Sequence, residues 1–467
     1  MKKGLKEIEY SRTSHYPCSA RRLYDWHSRS GALNRLLPPW QKTAIVRTTG
    51  NIETGTRVKL KIYNGPVGFT FCAHHVDNIP GVMFRDVQEK GPFSSWSHSH
   101  LFADTLSGST LTDKIAYTLP LQPFWPRFAL RQVQQSLDRI FAHREFLLQQ
   151  DIRLHSRCST KPLRLLVTGA SGVLGRELIP LLTTGGHSVW RLVRRKPDPN
   201  CQEIFWDPAR GFLDPGQLPE IDGVIHLAGE YIGLSRWSKQ KKERVIDSRV
   251  QGTRLLCRVI SAMKKKPEVL LCASAVGYYG NSTEKEMSEE SPPGSDFISE
   301  VCRLWEGATQ QAVESGIRTV LLRLGVGLTP RGGALQTILR HSPLGFIRRF
   351  GPGTQYISWI TTDDMISAML HCLTCPELDG PVNIAAPEPV TNTEFIKLLA
   401  RLTGRPLLFP VSGKLLELSY GQMASEILLS GCHVSTVKLQ QSGYRFRHPT
   451  LETALRQLLG KNNLKPC

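Results

Sequence analysis

At 467 residues the chain is longer than one hydrophobic core serves, and two or three domains are expected. Hydrophobic, aromatic and charged shares of 40%, 8% and 21% exclude a disordered or fibrous chain, and no run of 18 apolar residues is present to cross a membrane. The formal charge of +19 is spread out, residues 1–162 holding 23 basic against 12 acidic side chains; with no zinc-finger or aromatic RNA-binding motif, phosphate-bearing ligands are expected and nucleic acid is not.

The opening MKKGLKEIEY has charge but no apolar stretch, and the eleven cysteines lack the spacing of a disulfide framework, so a reducing cytoplasm is the expected setting. SARRLYDWHSRSGALNRLLPP begins with helical spacing and stops at Pro38-Pro39. Short β-like runs follow: TAIVRT, TRVKLKIY, GFTFCAHHV, VMFRDVQ, SSWSHSHLFADTL and TDKIAYTLP. An amphipathic helix from Arg127 to about Gln150 closes the segment, its apolar side carrying Phe128, Val133, Leu137, Ile140, Phe141 and Leu148. Helix, antiparallel strands and long helix predict an α+β domain over residues 1–150, a curved sheet gripping a helix around a cavity. The elements LPPW, GPFSSWSHSH and DKIAYTLP resemble the START-like (SRPBCC) superfamily that includes polyketide cyclases, and the resemblance implies a small hydrophobic ligand. His98 and His100 alternate on one strand face, as metal ligands do, but Trp96 and Phe102 continue that face; a cavity lining is expected and no metal site is assigned. The polar stretch Asp151 to Pro162 reads as a linker.

Residues 163–410 are organised around LRLLVTGASGVLG. An apolar strand ends in Thr168, Gly169, Gly172 and Gly175 and passes directly into the helical spacing of RELIPLL. Strand, glycine turn and helix open a dinucleotide-binding fold: Gly169 permits the sharp exit, Gly172 lets backbone approach a pyrophosphate, and Gly175 allows close helix packing. The new helix turns free N–H groups toward the anion. Pro180 should kink or trim that helix. The next strand, HSVWRLVRR, ends in Arg194 and Arg195 where an NAD-specific protein offers an acid to the ribose; Arg194 presents a fork for a 2′-phosphate, which favours NADP over NAD. DGVIHLAGE brings Leu227, Ala228 and Gly229 to the cofactor, and Arg236-Trp237 starts a charged helix. EVLLCASAVGYYG delivers Ser274, Tyr278 and Tyr279 to the carboxyl edge of the sheet. RTVLLRLGVGL, SWITTDDM (Trp359, Asp363, Asp364) and DGPVNIAAPEPVT follow, and residues 411–467 read as a small, mostly helical domain. Cys372 and Cys375 form a single CxxC on a predicted helix with no second pair, and no role is assigned to them.

Seven motifs in order, TGASGVLG, HLAGE, RW with DSRVQGTRLL, ASAVGYYG, LRLGVGL, SWITTDD and PVNIAAPEPVT, resemble the extended short-chain dehydrogenase/reductases, in particular the atypical epimerase-family branch with a C-terminal domain of unknown function. The resemblance implies an α/β, Rossmann-type doubly wound parallel sheet. It also implies NADP(H) on Gly169, Ser171, Gly172, Val173, Leu174, Gly175 and Arg194, with Leu227, Ala228 and Gly229 beside the dinucleotide. The chain departs from the family pattern at the chemistry. The usual Tyr-xxx-Lys pair, in which Lys lowers the phenol pKa for proton exchange, is missing: no tyrosine has lysine four residues later. DFISEVCRLWEG puts Phe297 or Ile298 at the Tyr place and Val301 or Cys302 at the Lys place. Two functions follow. One is an NADP(H)-dependent oxidoreductase or epimerase acting on a hydrophobic substrate from the N-terminal domain, with Ser274, Tyr278, Tyr279, Glu230 and Arg236 as candidate catalytic residues. The other is a non-catalytic NADP(H)-binding sensor or ligand scaffold.

Overall fold

A computed structural model of the chain describes residues 6–65, 67–120, 127–158, 161–233, 235–340 and 345–461. Two compact units divide it, one running to Thr160 and the other starting at Lys161, with the segment Pro180–Gly186 grouped with the first.

The first unit is a seven-stranded antiparallel sheet in the order β1-β7-β6-β5-β4-β3-β2. Its elements are β1 (Ile8–Tyr16), α1 (Ala20–Ser28), α2 (Ala32–Leu36), β2 (Thr43–Thr48), β3 (Arg57–Asn64), β4 (Val67–Ile79), β5 (Met83–Lys90), β6 (Ser95–Thr105), β7 (Gly108–Thr118) and α3 (Arg127–Cys158). The six predicted strands and the closing helix are present. β1 is missing from the sequence reading because five of its nine residues are Ser, Arg, Thr or Glu; its pairing with β7, Ile8 against Tyr117 through Tyr16 against Ser109, makes it a strand. On the inward face of β7 the apolar residues fall into two groups. Leu111 packs with Leu23, Trp26, Phe84 and Phe102, whereas Ile115 and Tyr117 pack with Tyr10, Leu137 and Phe141. Asp113 lies between them on the strand, and with Asp86, His98 and His100 it forms a buried polar belt across three strands. Phe84 stacks on His100 at 4.0 Å, so the expected aromatic lining is present around a charged centre.

The linker expected from Asp151 is instead the last two turns of α3, which continues to Cys158. Of its polar residues Asp151 and His155 are buried, whereas Arg153, Ser156 and Arg157 are exposed. Asp151 is fully buried and takes a two-pronged bond from Arg35, Nε at 3.0 Å and Nη2 at 2.9 Å, while Ile152 enters the core. The side chain of Phe128 and residues 159–160 and 462–467 lie outside the described residues.

The second unit holds an eight-stranded sheet, order β11-β10-β9-β8-β12-β13-β15-β19, parallel except for β11 against β10. Its first elements are β8 (Arg164–Thr168), α4 (Val173–Thr184), β9 (Ser188–Val193), β10 (Glu203–Asp207), β11 (Phe212–Leu213), β12 (Gly223–His226), α5 (Lys239–Ser261), β13 (Val269–Ala275), β14 (Ser282–Met287), α6 (Phe297–Gly307), α7 (Gln310–Glu314) and β15 (Arg318–Leu324). After these come β16 (Val326–Leu328), α8 (Gly333–Arg340), β17 (Tyr356–Ile357), β18 (Trp359–Thr361), α9 (Thr362–Thr374), β19 (Gly380–Ile384), β20 (Val390–Thr391) and α10 (Asn392–Thr403). Buried from both faces, β8 and β12 are continuous apolar runs; Leu165, Leu166 and Val167 are wholly enclosed, worth about 1.5–3 kcal/mol each. α4 is not trimmed at Pro180 but runs on to Thr184.

The C-terminal stretch comprises α11 (Gly413–Tyr420), a π-helical turn at Ala424–Leu428, β21 (Cys432–Val434), α12 (Val437–Gln441) and α13 (Leu451–Leu458). It is not purely helical, since β21 pairs in parallel with β14. It is bonded to the Rossmann core. Asp364, buried at the start of α9, accepts from the backbone of Arg447 and His448 and from the Tyr444 hydroxyl. The second compact unit accordingly runs through residue 410 without a break.

Candidate functional site

The strand order reverses at β8, which feeds β9 on one side and abuts β12 on the other. Open α/β sheets bind ligands in the crevice beyond the strand ends at such a reversal. The glycine turn sits at the end of β8, and Leu227-Ala228-Gly229 at the end of β12. The three glycines are needed for three different reasons. Gly169 has φ +70°, and a Cβ there would stand 2.8 Å from the Leu227 carbonyl carbon. A Cβ on Gly175 would meet the Gly169 carbonyl oxygen at 2.4 Å, so helix and turn touch only because it is glycine. At Gly172 a Cβ would find only Gly169 O at 3.2 Å and otherwise project into open space, the space a pyrophosphate requires. Ser171, Gly172 and Val173 are exposed, and as the first helical residues Val173 and Leu174 have amides with no acceptor inside α4.

The turn is tied to β12 by a chain of bonds whose protons can be assigned. Thr168 Oγ1 accepts from the N–H groups of Leu227 and Ala228, both at 3.1 Å, and so donates to His226 Nδ1 at 2.8 Å. His226 Nε2 then donates to Thr253 Oγ1 at 3.0 Å, and that hydroxyl donates to the Arg249 carbonyl at 2.6 Å. Burial, with the nearby Arg249 charge, keeps His226 neutral and pulls its pKa down to about 4. Nothing in the sequence pattern beyond the HLAGE motif points to this relay.

Arg194 and Arg195 are both exposed, but they are not equivalent. Arg195 is bound to Glu203 at 2.8 Å, whereas no partner of Arg194 is seen among the described residues. Arg194 lies near enough to Glu230 to help hold that carboxyl below its ordinary range, the main cause being the Lys241 ammonium 2.8 Å away. Glu230 is thus half of an ion pair. Arg236 is exposed and lies over Gly421, where a Cβ would be 3.2 Å from its Nε.

Ser274 and Tyr279 belong to a buried network. The Ser274 hydroxyl donates to Glu306 at 2.7 Å, and Glu306 is gripped through both oxygens by Arg323 at 2.9 Å. Arg323 donates to the Tyr279 hydroxyl at 2.9 Å, and Tyr279 donates to Asn383 at 2.7 Å. Tyr279 is only 2% exposed, and burial pushes its phenol up to about 12 against the opposing pull of Arg323. Tyr278 differs: it is part-exposed, with the Arg323 guanidinium 3.6 Å from its ring centre. Of the residues expected at the place of the missing pair, Phe297, Ile298 and Cys302 on α6 pack with Trp237, Ala275, Tyr278 and Met423, and Val301 is buried. Apolar contacts occupy the acid/base position.

Comparison with known proteins places the whole arrangement. The profile of the NAD dependent epimerase/dehydratase family matches residues 165–385, a domain of unknown function (DUF1731) matches 411–458, and the polyketide cyclase/dehydrase and lipid transport family matches 16–144. An epimerase family protein of Mycobacterium bovis is 37% identical over 289 residues, 62% of this chain and 95% of that protein. This chain belongs to the epimerase family. Among other members, human SDR39U1 is 34% identical over 64% of the chain and the whole of its own length. The crystal structure of human SDR39U1 (isoform 2) with NADPH superposes with a TM-score of 0.59 at 32% identity, covering 65% of this chain and 100% of that one. A nucleoside-diphosphate sugar epimerase from Corynebacterium glutamicum extends the likeness to both units, with TM-score 0.79, 30% identity, and 98% and 91% of the two chains covered.

Proposed function

We propose that this epimerase family protein binds NADP(H) at the end of β8 and uses it as an oxidoreductase on a hydrophobic substrate of the kind its polyketide cyclase-type unit holds. The observation that carries the reading is the open space at Gly172 beside helical amides with no acceptor inside α4, together with an exposed Arg194 guanidinium for which no bonded partner is seen among the described residues. Val173 and Leu174 N–H and Ser171 would hold the pyrophosphate, Leu227 to Gly229 would flank the dinucleotide, and Arg194, not the engaged Arg195, would take the 2′-phosphate. The NADPH in the human relative supports the same choice. Bound nicotinamide supplies or accepts the hydride. Tyr278 is the group left to move a proton: it is reachable, it bears a hydroxyl, and a positive charge lies against its ring. Ser274 and Tyr279 act as positioning residues, Glu306 and Arg323 fixing the strand end from which Tyr278 projects.

A second reading, a non-catalytic NADP(H) sensor, draws on the apolar Ile298 and Cys302 where the proton-transfer pair belongs. Titration of the full chain with NADPH and NADH, followed by nicotinamide fluorescence, separates the cases. NADPH is expected to bind more tightly, by about 2 kcal/mol or roughly 30-fold. Arg194→Ala removes the preference and Gly172→Asp abolishes binding of both nucleotides. Equal affinities in the natural chain would overturn the Arg194 assignment, and no binding would overturn the oxidoreductase. Oxidation of NADPH by hydrophobic carbonyl compounds, lost in Tyr278→Phe, favours the enzyme; tight binding without turnover across such a panel favours the sensor.

A further inference from the structure

The polar belt of the first unit contains a convergence of ring nitrogens on one carboxylate. Strand pairing sets Asp86 opposite His98 and His100 opposite Asp113. Asp113 Oδ1 receives His98 Nε2 at 3.0 Å and has His100 Nδ1 at 2.7 Å, the latter at an oblique angle. With those nitrogens turned to Asp113, the opposite ones, His98 Nδ1 and His100 Nε2, face Asp86 Oδ2, each at 3.8 Å. That separation is beyond hydrogen bonding. One ring nitrogen of each histidine is thus turned to Asp113 and the other to Asp86, so two imidazole nitrogens and a carboxylate oxygen converge in a region where all four residues are at least nine-tenths buried. Two carboxylates buried together call for positive charge among them, which a proton on an imidazole or a metal ion can supply.

A single ion fits the gap. Donor atoms bound about 2.0–2.2 Å from a common metal stand roughly 3–4 Å apart, and the three ligand atoms here all fall within 4.8 Å of one another. His75, 8% exposed and paired across the strands with Asp86, adds a buried imidazole whose Nδ1 has no partner.

We propose that Asp86 Oδ2, His98 Nδ1 and His100 Nε2 bind a divalent first-row transition ion of the zinc class, with Asp113 orienting both imidazoles from the far side. Two histidines, one carboxylate and a second carboxylate behind the rings make a metal site with its outer support. Three protein ligands leave a coordination position for water or for a carbonyl or hydroxyl oxygen of a ligand, the pattern of a reactive site and not of a closed structural one. The assignment does not depend on nucleotide binding in the second unit.

The test uses the full chain, stripped with chelator, dialysed, and titrated with zinc in competition with a chromophoric chelator. One equivalent should bind; Asp113→Asn should weaken it roughly 10–100-fold, and the His98→Gln/His100→Gln double variant should take up none at that site. Cobalt replacing zinc should give visible bands without thiolate charge transfer. Uptake equal in the double variant and the natural chain overturns the proposal, as does no uptake by the natural chain, or thiolate bands placing the ion on cysteine. If the double variant loses its circular dichroism, X-ray absorption of the cobalt-loaded natural chain decides instead. Two imidazoles in the first shell uphold the site, and fewer than two overturn it.

Discussion

Buried polar groups are met in two ways: Arg35 closes on Asp151 in the first unit as the networks of the second do, but the first unit's belt differs. In the second, each buried network closes on itself: Thr168, His226 and Thr253 pass one proton each along the line. Asp364 is met by Tyr444, Arg447 and His448, and Glu306 by Ser274 and Arg323. In the first, His98 and His100 each turn a ring nitrogen toward Asp86 across 3.8 Å. A closed network serves to fix a backbone, and an open one marks where something else binds. The second unit's own open features, the space at Gly172 and the exposed Arg194, are on its rim. The first unit's is in its core.

The sharpest way to break this comparison is to unbalance a closed network. Arg323→Met leaves Glu306 buried without its partner and should destabilise the second unit by about 3–5 kcal/mol, read from its denaturant midpoint. A loss under 1 kcal/mol would mean that Glu306 is solvated and the network not closed.

Next comes acid. His226 is neutral when folded, its pKa lowered to about 4, while the unfolded chain takes up a proton near pH 6.5. Between those values the unfolded state binds the extra proton, so stability falls as pH drops from about 6.5 to about 4, by at most roughly 3 kcal/mol. His27 in the first unit, also lowered to about 4 by burial, imposes a parallel slope there. Unfolding followed unit by unit in a His226→Asn variant should flatten the second unit's slope and leave the first unit's unchanged.

The open network should respond to a ligand where the closed ones do not. Zinc at 100 times its dissociation constant should raise the first unit's stability by about 2.7 kcal/mol and leave the second unit's midpoint alone. The smallest effect expected is that of Tyr279→Phe, about 1 kcal/mol from one hydroxyl, with NADPH affinity retained. A large loss of affinity in that variant would move Tyr279 from the packing of the sheet into the cleft.

What the sequence disclosed follows from range. The glycine turn, the alternating strands and the helix behind Phe141 and Leu148 are written in neighbouring residues, and all are present in the structure. What it hid depends on partners far along the chain. Asp151 looks like linker until Arg35, 116 residues earlier, is beside it. Ser274 and Tyr279 read as catalytic candidates at the carboxyl edge of the sheet, and the bonds that engage them come from Glu306, Arg323 and Asn383 on other elements. His98 and His100 show their shared face in sequence, but the aspartates that give that face its chemistry arrive only through the register of β5 and β7. β21 is three residues long, and only β14 makes it a strand.

The caging of Asp364 also sets an order of events during synthesis. The first unit holds all its strands and its closing helix by residue 158, so it can collapse as soon as that stretch leaves the ribosome. The second cannot: Asp364 waits for amides 83 and 84 residues downstream, and β14 waits for β21. For the time needed to make that stretch, a half-built parallel sheet must stay in solution with a buried carboxylate still unmet. The neighbour on the same chain already has all its strands throughout that wait, so the nascent protein is expected to pass through a stage with one sheet formed and the other still open.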